Sequence, residues 1–254
     1  MLTAITRVPS NRLPECELSF LERRPIDVAV ARAQHRAYQG VLRTAGAHVV
    51  ELPALDNLPD ATFVEDSALV FDEVAIVAPM GAASRRPETD AIAGILSRYR
   101  DVEWLTPPAT LDGGDVLRLG RCVYVGQTPR TNADAANQLR SRLEPRGYHV
   151  IPVEITQCLH LKSACGQLDD TTVLINPAWI DRAVFAGRRT VAVADGEPWG
   201  ANIVRVGETV VFPASEPRTR RAVERCGFRT AVADVSELQK AEAGVTCLSL
   251  IFEG

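Results

Sequence analysis

The 254-residue sequence has no long apolar run and no recognisable targeting segment. A membrane-spanning helix needs roughly 18 consecutive apolar residues, and no stretch approaches that length. The first ten residues, MLTAITRVPS, lack the charged, apolar and small-residue regions of a signal peptide. These absences predict a cytoplasmic protein without a membrane partner.

The sequence also has no excess of basic residues. Its 28 Lys and Arg residues are outnumbered by 32 Asp and Glu residues, which gives a formal net charge of −4. Such a chain has little positive charge to neutralise phosphates, so nucleic acid is not an expected partner. A small polar molecule is the expected partner instead, and 46% hydrophobic residues suffice for a sizeable core.

Cysteine and histidine do not follow the spacing of metal sites. The six cysteines form no CxxC pair, and the four histidines form no HExxH motif. We therefore expect no metal and no cofactor. A chain of this length has no need of disulfide staples, so most of the cysteines are expected to be reduced and buried.

A weak repeat runs through the chain. Each unit has a polar residue, an apolar run, a tight polar turn and a second apolar run. Successive units start 42 to 48 residues apart, at Glu65, Asp112, His160, Asn202 and Cys247. Most hairpins are followed by a helical stretch, such as 131–146 or 217–226, and then by another β-rich segment.

The fifth unit reaches residue 254 before any return strand. The strand-like segment 2–8 can supply the missing partner, and a helix over about 26–46 and a strand over 48–52 follow it. The sequence thus predicts an α/β fold in which five units close into a ring through the N- and C-terminal strands. An ordinary open α/β sheet is the alternative.

In a ring, equivalent positions of the units face one axis, so the five starting residues converge. A cysteine beside a histidine is a nucleophile with a proton carrier, and Asp112 can orient the imidazole. Taken singly, Cys247 fits core filler, His160 a hydrogen-bonded core histidine and Asp112 a turn residue before two glycines. Their shared position in the repeat favours covalent catalysis by Cys247 and His160.

Acidic and basic residues near the same positions suggest a guanidinium ligand. Glu65 and Asp66 are adjacent carboxylates that would repel one another when buried, and a guanidinium would relieve that repulsion only when substrate is bound. Arg85 and Arg130 follow their hairpins and can bind an α-carboxylate, while Asp60 can bind an amino group. The alternatives are a solvated acidic pair, ordinary exposed arginines and a loop-ending aspartate.

Six motifs occur in an order that resembles one enzyme family: FVED (63–66), GAASRRPET (81–89), LDGGD (111–115), PRTN (129–132), LHLKS (159–163) and GVTCLS (244–249). The chain resembles the dimethylarginine dimethylaminohydrolases of the guanidine-modifying pentein superfamily. The resemblance implies a five-bladed α/β propeller of ββαβ repeats, with residues 1–254 as a single catalytic domain. It also implies hydrolysis of Nω,Nω-dimethyl-L-arginine or Nω-monomethyl-L-arginine to L-citrulline and a methylated amine.

The resemblance also assigns roles by motif. It makes Cys247 the nucleophile, His160 the proton donor and Asp112 the residue that orients the histidine. The residues that it places around the substrate are Leu18 on a lid, Asp60, Glu65, Asp66, Arg85, Arg130 and Ala241.

Two other functions stay open on the sequence. The chain can act on another guanidine, such as arginine in a deiminase reaction, or it can be a non-catalytic binder of arginine-like ligands. The oligomeric state is not encoded in any pattern found, which leaves a homodimer open.

Overall fold

The computed structural model describes residues 1–254 as five three-stranded sheets. The strands in chain order are β1 (Leu2–Arg7), β2 (His48–Leu52), β3 (Leu69–Val70), β4 (Val74–Val77), β5 (Asp101–Trp104), β6 (Val116–Leu119), β7 (Cys122–Gln127), β8 (His149–Glu154), β9 (Cys165–Gln167), β10 (Thr172–Ile175), β11 (Arg189–Ala192), β12 (Val204–Val206), β13 (Thr209–Pro213), β14 (Arg229–Ala233) and β15 (Leu250–Glu253). The helices are α1 (Val28–Thr44), α2 (Glu88–Leu96), α3 (Ala133–Leu143), α4 (Leu161–Ala164), α5 (Pro217–Arg225) and α6 (Ser236–Gln239).

All five sheets share one pattern. The first strand pairs antiparallel with the middle strand, and the middle strand pairs parallel with the third. An antiparallel pair can be joined by a tight turn, whereas a parallel pair needs a crossover, which explains the hairpin followed by a helix. The β10–β11 crossover contains a 3₁₀ turn at Arg182–Phe185 in place of an α-helix. The predicted ββαβ unit is therefore confirmed.

The fifth sheet joins the two ends of the chain. β15 pairs antiparallel with β1, with Leu2 opposite Glu253 and Ile5 opposite Leu250, and β1 pairs parallel with β2. The predicted closure by terminal strands is thus confirmed, because β15 supplies the first strand of a sheet whose other two strands come from the N-terminal 52 residues.

The middle strands show why the sheets form a ring and not one open sheet. Successive side chains of a strand face opposite sides, and in each middle strand the two sides lie in different hydrophobic cores. In β4, Val74 and Ile76 pack with β7 of the second sheet, whereas Ala75 and Val77 pack with Ile5 of the fifth. The remaining sheet interfaces follow the same rule, so five cores close a cycle.

The first strands of the sheets face the axis. β3, β6, β9, β12 and β15 line a central channel of about 540 Å³. Ion pairs link neighbouring hairpins around it: Arg118 binds Asp72 of the preceding sheet at 2.7 Å, and Arg205 binds Asp170 at 3.0 Å. At two places around the ring, an arginine of one hairpin thus forms an ion pair with an aspartate of the preceding hairpin.

Local sequence explains where the longer helices begin. The Asp27 carboxylate accepts hydrogen bonds from the N–H groups of Ala29 and Val30, and the Asn132 side chain accepts one from Ala135. These caps satisfy N–H groups that a helix start leaves free. No helix is both long and apolar enough to cross a membrane.

Candidate active site

The polar residues that start the repeats lie at the entrances of the channel-lining strands. Short helical turns occur at four of these entrances: Val64–Ser67 before β3, Gly113–Asp115 before β6, Leu161–Ala164 before β9 and Thr246–Leu248 before β15. Each turn places its polar residue at the same end of the ring. The fold therefore brings together residues that are up to 182 positions apart in the sequence.

A small cavity lies at this end of the ring. Seven of the ten residues predicted for the site line it: Asp60, Asp66, Arg85, Arg130, His160, Ala241 and Cys247. Its volume of about 20 Å³ is close to the space that one water molecule needs. The cavity is therefore narrow, and most of the residues that line it are polar or charged.

The other three predicted residues lie nearby but do not line this cavity. Glu65 lines the central channel, Asp112 is fully buried behind His160, and Leu18 packs against the core between the fourth and fifth sheets. Glu17, the neighbour of Leu18, lines the cavity instead. The Leu18 side chain thus contacts the hydrophobic core and does not line the cavity.

Charges of alternating sign run through the site. Arg130 Nη1 lies 3.6 Å from Asp112 Oδ2, which lies 3.3 Å from His160 Nε2. The other ring nitrogen, Nδ1, lies 3.9 Å from Asp66 Oδ1, and Asp66 Oδ2 lies 2.7 Å from Arg85 Nη1. Each buried charge therefore has an opposite charge on either side, which offsets the cost of its burial.

The carboxylates around His160 favour its charged form. Burial alone lowers the pKa of the imidazole, but Asp66, Asp115 and Asp112 outweigh that effect and raise the pKa to about 9. Conversely, His160 and Arg85 hold the pKa of the Asp66 carboxyl below its ordinary value, although burial acts in the opposite direction. His160 is thus an imidazolium at neutral pH.

The Cys247 thiol has the opposite tendency. Burial, together with the charges of Glu65 and Asp66, raises its pKa to about 12, although the Gly244 N–H donates to the sulfur at 3.4 Å. Asn202 holds the turn that carries this cysteine, because it bonds both the N–H and the hydroxyl of Thr246. Gly244 is required here, since a Cβ would lie 2.0 Å from Asn202 Oδ1.

The two adjacent carboxylates already have cations from the protein. Lys162 Nζ lies 2.7 Å from Glu65 Oε1, and Arg85 binds Asp66. The expectation that only a bound guanidinium relieves their repulsion is therefore wrong, because these two side chains supply the compensating charge. Glu65 Oε2 nevertheless remains buried without a hydrogen-bond partner.

One group of atoms has the composition of a metal site. Ligand-capable atoms of Asp66, Asp112 and His160 lie within 4.8 Å of one another. The same carboxylates contact Arg85 and Arg130, and the electrostatic environment keeps His160 protonated. A histidine must lose that proton to bind a metal, so the arrangement fits an ion-pair network better than a cation site.

Residues 17–21, which we call the lid segment, lie beside the cavity, and Glu17 lines it. One carboxylate of Glu242 accepts hydrogen bonds from three consecutive backbone N–H groups of the segment, those of Ser19, Phe20 and Leu21. The Asp60 carboxylate accepts a further bond from the Glu17 N–H. The lid segment is thus attached to the site through its backbone.

Comparisons with known proteins agree with this geometry. A family model described as "N,N dimethylarginine dimethylhydrolase, eukaryotic" matches residues 19–192. The N(G),N(G)-dimethylarginine dimethylaminohydrolase of Streptomyces coelicolor is 38% identical, over 97% of this chain and 95% of that protein.

The corresponding protein of Pseudomonas aeruginosa is 34% identical over 98% of both chains. A solved structure of a cysteine-to-serine variant of a Pseudomonas aeruginosa dimethylarginine dimethylaminohydrolase with citrulline superposes with a TM-score of 0.95. The two sequences are 33% identical, and the match covers 99% of this chain and 100% of the other. The chain belongs to the dimethylarginine dimethylaminohydrolase family. The resemblance and the pentein fold inferred from the six motifs are therefore confirmed.

The sequence did not predict several residues that lie at the site. They are Lys162 on Glu65, Glu17 and Glu242 at the lid segment, and Gly114, whose N–H donates to Asp66 at 2.9 Å. Lys162 lies in the LHLKS motif, two residues after His160, and Gly114 lies in LDGGD. Because both residues lie inside motifs that resemble the family, the sequence could have indicated them. The spacing of the repeat gives no indication of Glu17 or Glu242.

Proposed function

We propose that this chain hydrolyses Nω,Nω-dimethyl-L-arginine and Nω-monomethyl-L-arginine to L-citrulline and dimethylamine or methylamine. The main support is that the Cys247 thiol, the His160 imidazolium and Asp66 line the same cavity. The chain also belongs to this enzyme family. The related Pseudomonas aeruginosa enzyme binds citrulline, the expected product. Residues 1–254 would form one catalytic domain.

In this proposal the substrate activates the nucleophile. The negative charges of Glu65 and Asp66 disfavour a thiolate at Cys247, and a bound guanidinium offsets them. The unpartnered Glu65 Oε2 is available to accept from that guanidinium. Cys247 then loses its proton to solvent, and its sulfur attacks the guanidinium carbon.

His160 moves protons in both half-reactions. The imidazolium protonates the methylated amine as its C–N bond breaks, which leaves a thiouronium on Cys247. The neutral imidazole then accepts a proton from water as the water oxygen attacks the same carbon. The C–S bond breaks, citrulline leaves with the oxygen, and the departing thiolate regains a proton. Asp112 Oδ2, which lies 3.3 Å from His160 Nε2, orients the ring for both steps.

The remaining site residues bind the amino acid end. Arg85 and Arg130 would hold the α-carboxylate, Asp60 the α-amino group, and Leu18 and Ala241 would contribute from the lid segment and from the cavity wall. A cavity of about 20 Å³ cannot hold this substrate, so the lid segment has to open first.

Citrulline release tests the proposal directly. The wild type should release citrulline and dimethylamine from dimethylarginine, and Cys247→Ser should lose at least about 10³-fold in kcat because a hydroxyl is a far weaker nucleophile. Equal rates for the two proteins would contradict it. Release of ammonia from arginine in preference to dimethylamine from dimethylarginine would point to a deiminase.

The homodimer and the cytoplasmic location stay predictions. Light scattering on the eluting protein measures its mass in solution, and a mass near 27.6 kDa would exclude the dimer.

A further inference from the structure

A buried carboxylate behind the site has no role in the reaction described above. Glu88 begins α2, is 2% exposed and does not line the cavity. Its carboxylate accepts from Arg85 Nε at 3.1 Å and from Arg85 Nη2 at 3.0 Å. This side-on pairing fixes the plane of the guanidinium, since two of its nitrogens are held by one rigid group.

The other bonds of Arg85 leave it little freedom. Its Nη1 donates to Asp66 at 2.7 Å, and its Nη2 also donates to the carbonyl oxygen of Phe63 at 3.2 Å. An arginine has five N–H groups, and these partners engage four of them. The N–H that remains belongs to Nη1, the nitrogen that contacts Asp66.

We propose that Glu88 is the positioning residue of the site, which holds Arg85 so that Nη1 serves Asp66 and the α-carboxylate of the substrate at once. This inference rests on the proposed function. Without Glu88, the guanidinium can rotate about its last side-chain torsions and offer a different nitrogen to each partner. Binding of the substrate carboxylate should weaken, while the reacting atoms, which Glu88 does not touch, keep their arrangement.

The charges around Glu88 give this role a pH dependence. Arg85 and Arg7 face it as cations, and Asp60 and Asp66 face it as anions. Burial, reinforced by the two aspartates, raises its pKa to about 7 in spite of Arg85. Above pH 7, both carboxylate oxygens of Glu88 accept from Arg85; as the pH falls through 7, protonation removes the negative charge and turns one of these oxygens into a donor, which weakens the pairing. KM for dimethylarginine should rise in the same range.

The experiment compares Glu88→Gln with Glu216→Gln. Glu216 is a matched control, because it is also a buried carboxylate (5% exposed) with a raised pKa at the start of a crossover helix, but it does not line the cavity. Steady-state kinetics with dimethylarginine are measured from pH 5.5 to 8.5, and melting temperatures confirm folding.

At pH 8, Glu88→Gln should raise KM about tenfold, as expected for the loss of a charge-assisted hydrogen bond, with kcat within about twofold. KM of the wild type and of Glu216→Gln should rise as the pH falls below 7, and KM of Glu88→Gln should stay flat. A purely structural role would not remove this pH dependence. A folded Glu88→Gln variant with the wild-type KM and pH profile would overturn the inference, whereas an inactive wild type would overturn the proposed function.

A second measurement uses only the wild type, so it tests the inference even if Glu88→Gln does not fold. Nω,Nω-dimethylagmatine lacks the α-carboxylate, so its KM on the wild type should not rise as the pH falls through 7, as KM for dimethylarginine should. The same dependence with both substrates would show that Glu88 does not act through the carboxylate.

Discussion

The two sides of the active-site cavity are held by different contacts. On the side of the ring, which we call the floor, Asp66, Arg85, Asp112 and His160 are buried and paired through charged side chains. On the opposite side, the roof, the lid segment is bound by its backbone N–H groups to the partly exposed Glu242. Its Ser19 hydroxyl also accepts from Arg130, which contacts Asp112 of the floor.

This difference separates two requirements of the site. A buried charge that loses its partner costs several kcal/mol, so the floor has essentially one arrangement. Hydrogen bonds near solvent can be replaced by bonds to water at a net cost of about 0.5–1.5 kcal/mol each, so the roof can open. The floor thus fixes the reacting groups, and the roof admits the substrate.

The largest expected effect comes from the floor. His160→Gln removes the imidazolium that protonates the leaving amine and should lower kcat by about 10²–10⁴. The wild type should lose activity as the pH rises through about 9, because the imidazolium is lost there, and the residual activity of the variant should not follow that curve. An unchanged kcat in the variant would remove His160 from the mechanism.

A smaller effect is expected at the Glu65–Lys162 ion pair, which lies on the side of the floor that faces the central channel. Lys162→Met leaves Glu65 buried beside an apolar side chain and should lower the free energy of unfolding by about 2 kcal/mol. Urea unfolding measures it. Lys240→Met breaks a more exposed pair with Glu237, also 2.7 Å long, and should change stability by at most about 0.5 kcal/mol. Equal losses in the two variants would show that the floor pair is no stronger than a surface pair.

The smallest effect is expected at the roof. Glu242→Gln weakens the bonds to the lid segment, so hydrogen exchange at the N–H groups of residues 19–21 should become about tenfold faster, as about 1.4 kcal/mol of lost hydrogen bonding predicts. The melting temperature should stay within about 1 °C of the wild type because few buried contacts change. Glu208→Gln, at an exposed hairpin turn, is the control. Unchanged exchange in the lid segment would show that Glu242 does not hold the roof.

Much of the floor was predictable because the repeat determines it. The turns at Asp72 and Gly120 and the start positions of the units define the strand entrances, and a closed ring brings the entrances together. The helix predicted over 26–46 is observed at Val28–Thr44, and the one over 131–146 at Ala133–Leu143 with a 3₁₀ turn after it.

The partners of these residues were not predictable in the same way. Glu65 binds Lys162 and Arg85 binds Glu88, and both choices depend on side-chain torsions and burial, which periodicity does not encode. The contacts of the roof were even less predictable, because the lid segment is not part of a repeat unit. Glu242, which binds it, lies more than 220 positions away in the sequence. The interpretation of Asp66 as a free ligand for a guanidinium overlooked Arg85 for this reason.

The pairing of β1 with β15 determines when the fifth sheet can be completed during synthesis. While the ribosome makes the nascent chain, four sheets can assemble from residues already released, but β1 has to wait for residues 250–253. At roughly 5–20 residues per second, that delay is about 10–50 s, during which one edge of β1 stays unpaired and open to intermolecular association. A nascent chain therefore carries an unpaired strand edge until β15 has been made, and the pairing of β15 with β1 covers that edge.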